Sequence, residues 1–165
     1  HRDLHSFPTR RSSDLIKLIK SGHKTRDIID KLEKIRDNIY IYVLVDTLKF
    51  LVKNGRLSAT SGFLGTLLKI KPLLHVQRDG SLVPFEKIRT TGKAQQRLLE
   101  VVRHDVDGKN VVMFIAYTNN QDKAAEIKKE ILAFRPDITV ELVPLTPVVG
   151  AHAGPGTLGV GYIVL

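Results

Sequence analysis

From Thr25 onward the apolar residues Ile28, Ile29, Leu32 and Ile35 recur at i, i+1, i+4 and i+7, which is one face of a helix. Thr25 is the expected N-cap and Asp27 suits the first turn. Before them, Ile16 to Lys20 reads as the tail of another helix, stopped by Ser21-Gly22. The period then disappears. Ile39 to Val45 is an unbroken apolar run, the pattern of a strand buried on both faces. Asp46 is the expected cap of a helix carrying Leu48, Leu51 and Val52, and Asn54-Gly55 ends it with residues that tolerate left-handed dihedrals. Phe63, Leu64, Leu67 and Leu68 give a short further helical face. Pro72 to Gln77 and Leu82 to Ile88 flank Asp79-Gly80 and predict an antiparallel hairpin. Gly92 opens a helix to about Arg103, Val111 to Tyr117 is a second buried strand, and Gln121 to Phe134 is helical until Pro136. Ile138 to Val143 and Gly159 to Val164 are further strands, separated by a Gly/Pro-rich loop around His152.

Strands alternating with helices, plus one hairpin, predict an α/β fold: a mixed β-sheet flanked by helices. The pattern closes as one domain over residues 16–165, with no internal repeat. A chain of 165 residues that is 42% hydrophobic can bury a core without covalent staples. Cysteine is absent, which excludes disulfides, thiolate zinc sites and cysteine nucleophiles. The longest apolar run falls far short of the ~20 residues of a membrane span, and no segment reads as a signal peptide, so a cytoplasmic protein is expected.

The net charge of +9 raises the question of nucleic acid. Yet Lys20, Lys34, Lys53, Lys69, Arg78, Lys93, Lys109 and Lys128 are scattered, and no aromatic stacking motif interleaves with them. A solvated basic surface that steers an anionic ligand or an acidic partner fits better, and no nucleic-acid partner is expected.

Residues 1–15 stand apart. They have no hydrophobic period and no initiator Met, since the chain's one methionine is Met113. Leu4 to Leu15 is similar to a translated sequencing-library adapter. The segment is expected to be non-native and disordered, and it is set aside from fold reasoning. On that reading the chain is a fragment lacking its N-terminal part.

Four constellations bear on chemistry. Lys53-Asn54-Gly55-Arg56-Leu57-Ser58 presents an arginine beyond a glycine turn, although a helix C-cap explains the glycine equally well. Lys87-Ile88-Arg89-Thr90-Thr91-Gly92-Lys93 is a basic strand-to-helix turn, too short for a phosphate loop. Gly150-Ala151-His152-Ala153-Gly154-Pro155-Gly156 surrounds one histidine with three glycines and a proline, which specifies an unusual backbone and lets another group approach closely. A tight turn with a solvent-facing histidine fits the same residues. No second histidine or carboxylate lies at ligand spacing, so no metal is expected, and no cofactor fingerprint occurs. The hydroxyls of Ser58, Thr60, Ser61 and Thr66 have no nucleophile elbow and no assignable base.

Taken in order, the stretches Tyr42 to Leu51, Asn54-Gly55-Arg56-Leu57-Ser58, Leu67 to Leu74, Arg89 with Lys93-Ala94, and Gly150-x-His152-x-Gly154-Pro155-Gly156 resemble the C-terminal domain of the DegV family of fatty-acid-binding proteins. Asn54 departs from the family's usual first glycine. The resemblance implies a lipid carrier rather than an enzyme, with a long-chain fatty acid such as palmitate held between two domains. It implies head-group contacts from His152, Arg56, Gly150, Gly154 and Gly156, and an acyl tunnel lined by Leu64, Leu67, Leu68, Ile70 and Leu73. It further implies that a separate fatty acid kinase subunit receives the acyl chain, with Arg89 contacting that partner. Burying a sixteen-carbon tail is worth on the order of ten kcal/mol before binding costs, at ~0.8 kcal/mol per CH₂. The carboxylate needs charge-assisted donors. The alternative is a phosphotransfer enzyme with His152 as acid/base, against which the missing second titratable group counts.

Overall fold

The computed structural model describes residues 15, 16, 18–57 and 70–165. The helical face expected at Phe63 to Leu68 lies outside them. Leu15, Ile16 and residues 18–20 are helical and end in the turn at Ser21-Gly22. The elements that follow are α1 (Thr25–Asp37), β1 (Ile39–Leu44), α2 (Lys49–Lys53), β2 (Leu73–Val76), β3 (Leu82–Glu86), α3 (Thr91–Val106), β4 (Val111–Tyr117), α4 (Gln121–Phe134), β5 (Thr139–Pro144), α5 (Pro147–Ala153) and β6 (Leu158–Val164). The six strands form one mixed sheet in the order β3-β2-β1-β6-β4-β5, in which only β4 and β5 run parallel. The α/β fold with a mixed sheet and one hairpin is as the pattern predicts.

Two apolar clusters hold the sheet. The larger packs Leu98, Val102 and Val106 of α3 and Ala124, Ile127 and Ile131 of α4 against Leu44, Leu73, Met113, Ile115, Val160 and Tyr162. The smaller gathers Val45, Leu48, Leu51, Leu57 and Leu74. Leu73 and Leu74 therefore enter different clusters, as successive strand residues on opposite faces must. The central strand β6 is buried along nearly its whole length.

Several local expectations are corrected. Burial in β1 alternates instead of covering both faces, and Tyr40 is exposed. Tyr42 and Leu44 face the α3 side, whereas the Tyr40 ring stacks on Tyr162 at 5.2 Å nearer the strand's start. In α1 the cap position is Lys24, in extended conformation without a side-chain bond, and Thr25 is already helical. Ile28 is buried and Ile29 is exposed, so the inward face is Ile28, Leu32 and Ile35. Asp46 does not cap α2; Thr47 Oγ1 accepts from Lys49 N at 3.3 Å. Gly55 takes the left-handed turn at φ +64°, whereas Asn54 stays at φ −94°. Helix α3 starts under the cap of Thr90, whose Oγ1 accepts from Lys93 N at 3.4 Å, and runs on to Val106. The segment before Gly154 is not a loop but the short helix α5. Pro147 suits its first turn, where no N–H is needed. Gly150 suits its interior, where a Cβ would lie 3.1 Å from Thr118 Cγ2.

Candidate functional site

The strand registers bring the chemistry to one end of the sheet. Leu44 at the end of β1 pairs with Leu73 at the start of β2 and with Leu158 at the start of β6. Tyr117 at the end of β4 pairs with the same Leu158 and with Pro144 at the end of β5. Leu73 pairs in turn with Glu86, at the end of β3. The segments leaving these ends carry Asp46, Lys71, Arg89, Thr118, Asn120 and His152. Carboxyl ends of parallel strands are where open α/β sheets bind ligands.

The turn after α5 is the centre of this arrangement. Gly154 closes the helix at φ +85°, and Gly156 follows at φ +76°. Both glycines also accommodate close neighbours. A Cβ on Gly154 would stand 2.5 Å from the Phe50 ring, and one on Gly156 would stand 1.9 Å from Asp46 Oδ2. Thr118 Oγ1 donates to Gly154 O at 3.0 Å, and Asn120 Nδ2 donates to Gly156 O at 3.0 Å. The buried Thr157 hydroxyl donates back to Ala153 O and Gly154 O at 3.1 and 2.9 Å. Asn54 Nδ2, donating to Ala151 O at 3.3 Å, ties α2 to α5.

His152 sits in the last turn of α5, half-buried, and its Nδ1 is a buried atom with no hydrogen-bond partner among the described residues. A buried polar atom left open in this way asks for a partner. Lys71 Nζ donates to the main-chain oxygen of Asp46 at 2.6 Å and lies 3.5 Å from Oδ1. The Asp46 carboxylate set against Gly156 therefore has a cation beside it. Residues more than a hundred positions apart in sequence thus share one turn. Linear spacing carries no trace of that neighbourhood.

The other anticipated residues are distributed as follows. Gly150, Gly154 and Gly156 belong to the His152 segment itself. Arg56 is exposed and follows the Gly55 turn, its N–H donating to Leu51 O at 2.8 Å. Its segment meets α5 through Asn54. Arg89 is exposed between Ile88, whose carbonyl accepts from Lys71 N at 2.6 Å, and the Thr90 cap. Leu73 is wholly buried in the larger cluster, whereas half-buried Ile70 packs on the smaller one. Leu64, Leu67 and Leu68 lie outside the described residues. Asp46, Lys71, Thr118 and Asn120 were not anticipated as site residues. The available signal was position: Thr118 to Asn120 directly follow a buried strand and precede a helix.

An open groove of about 610 Å³ runs between α3 and α4. Its lining includes Glu100, Glu126 and Glu130, and Gln95 Nε2 donates to the last two at 3.3 and 2.8 Å. Arg103, Lys123 and Leu99 complete a lining of mixed charge. Among the described residues no group of three or more histidines and carboxylates could hold a metal ion. No helix among them is long and apolar enough to cross a membrane.

Comparison with known proteins agrees on one family. The model of the uncharacterised DegV family matches residues 14–165. A DegV domain-containing protein of Streptococcus pyogenes is 39% identical over 143 residues, covering 87% of this chain and 49% of the relative. Among solved structures, a fatty acid binding DegV family protein from Streptococcus agalactiae superposes with a TM-score of 0.87 at 29% identity, covering 94% of this chain and 55% of that one. DegV of Bacillus subtilis, a fatty acid binding protein, gives a TM-score of 0.80 at 36% identity over 92% of this chain and 54% of its own. The chain spans about half the length of the relatives it matches.

Proposed function

The chain belongs to the DegV family, and from that premise we propose that it is the C-terminal half of a carrier that holds a long-chain fatty acid between two domains. The observation that carries this reading is the buried Nδ1 of His152, unpartnered among the described residues, beside a glycine turn at the sheet's end. A carboxylate taken out of water needs donors of that kind. The fatty acid binding relatives from Streptococcus agalactiae and Bacillus subtilis support the ligand class. Arg56, on the segment tied to α5 by Asn54, is assigned to the head group with His152. Arg89, exposed on a separate turn, is assigned to a kinase subunit that receives the acyl chain. The phosphoryl chemistry then belongs to that partner, and the carrier works in the cytoplasm.

The test uses the full-length protein. Lipid extracted from it after purification from bacteria should contain a long-chain fatty acid by mass spectrometry. His152→Ala should weaken palmitate binding by roughly 1.5–3 kcal/mol, the range for a hydrogen bond to a charged group, with the fold intact by circular dichroism. An unchanged dissociation constant would return His152 to a plain turn residue. Arg89→Ala should leave palmitate affinity alone and lower acyl-phosphate formation with the kinase, and the defect should deepen with salt because surface charge steers association. Loss of palmitate binding in Arg89→Ala would instead put that arginine at the lipid.

A further inference from the structure

Two local features stand side by side at the end of β4. Asn119 has φ +54°, the left-handed region, and is the one non-glycine residue there among those described. Asn120 occupies the N-cap of α4, where an asparagine oxygen ordinarily accepts from the first-turn N–H groups. It makes no such bond. Its Nδ2 donates instead to Gly156 O at 3.0 Å, and its Oδ1 is left buried without a partner among the described residues. A left-handed residue followed at once by an orphaned acceptor points to a constraint from the surrounding structure. Both accompany one contact, the amide laid across the sheet's end onto the turn after His152.

That turn is gripped at four points by the end of β4. Thr118 N donates to Thr157 O at 3.0 Å, and Gly156 N donates to Thr118 O at 3.1 Å. The Thr118 hydroxyl holds Gly154 O, and the Asn120 amide holds Gly156 O. Helix α5 ends at Ala153, so the direction in which His152 leaves its last turn depends on where Gly154–Gly156 is fixed. Resting on the fatty-acid reading above, we infer that Asn120 is a positioning residue for the head-group site. It forgoes capping α4 to fix the Gly156 carbonyl, and through that turn it orients the His152 ring.

Asn120→Asp separates this role from simple support. Aspartate is as good an N-cap and adds a favourable negative charge at a helix N-terminus, but it removes the donor and sets an oxygen against the Gly156 carbonyl. In the 165-residue chain, the melting temperature should hold or rise. The His152 imidazole signals in NMR, assigned by their loss in His152→Ala, should shift. In the full-length protein the dissociation constant for palmitate should rise roughly tenfold, the equivalent of one hydrogen bond. Thr118→Val, which removes the neighbouring grip, should move the same imidazole signals and provides a second variant. Unmoved signals in Asn120→Asp, or a shift accompanied by a parallel fall in melting temperature, would overturn the inference. A shift of the signals in a protein whose wild type binds no palmitate would leave the clamp standing and remove the fatty-acid reading instead.

Discussion

A methyl group on Gly161 would stand 2.1 Å from Phe114 Cζ, which lies across the glycine on the neighbouring strand. Phe114 is buried at 4% exposure, so the ring has little room to move aside. Gly159, two residues earlier in the same strand, has its nearest neighbours at 3.8 Å. Gly161→Ala should therefore lower stability by about 1–3 kcal/mol, as overpacking does, and Gly159→Ala by clearly less. Urea unfolding of the two variants checks this, and equal losses would mean that strand flexibility rather than the Phe114 contact decides. The same residue scale explains what the sequence made legible at the site. Glycines crowded around His152 announce a close approach, but they do not say which groups approach. Asp46, Phe50 and Asn120 meet that turn only because three strand ends converge, and no local spacing encodes their meeting.

At the scale of elements, the strands and long helices were readable because their apolar periods run over many residues and because β4 and α4 have sharp boundaries. Caps were less readable, since Thr25, Asp46 and Asn120 are all good capping types. Tertiary contacts draw Asp46 to Lys71 and Asn120 to Gly156 instead. A contact equally invisible in the sequence ties β1 and β6 to α3. Tyr42 and Tyr162 both donate to Asp105 Oδ2, at 2.9 and 2.5 Å. Burial first, and then the bond to the Asp105 carboxylate, pushes both hydroxyls well above the ordinary tyrosine value of 10.0. A folded-state value raised above the unfolded one gives a contribution that is complete below pH 10.0 and lost as pH rises beyond it. Stability should therefore decline on the alkaline side of that value, with the two tyrosines ionising only as the chain opens. Tyr162→Phe should flatten the decline while losing about 0.5–1.5 kcal/mol at neutral pH. Urea midpoints followed across that range, with tyrosinate absorbance as a second probe, measure both effects. An undiminished alkaline slope in the variant would assign it to other groups.

For the whole molecule, the question is what this half-length chain does alone. Its larger core closes internally, because Leu98, Val102, Met113, Ile115, Ile127, Ile131 and Val160 are all fully buried within the chain. The chain should therefore fold without a second domain. The end that carries His152 is different. Val148 on α5 is 70% exposed, and Phe50 on α2, whose ring lies against Gly154, is 37% exposed. Apolar residues this close to the proposed head-group turn call for cover, and a contiguous exposed patch beyond a few hundred Å² promotes association. If the ligand lies between two domains, this chain also lacks part of the donor set, and a half-satisfied carboxylate binds poorly. The 165-residue chain should therefore unfold cooperatively, yet self-associate or take up a hydrophobic dye, and hold palmitate more weakly than the full-length protein. Sedimentation, dye fluorescence and palmitate titration of the two proteins side by side provide the comparison. A monodisperse chain that binds palmitate as tightly as the longer protein would place the entire site at this one end of the sheet and leave the second domain without a share in the ligand.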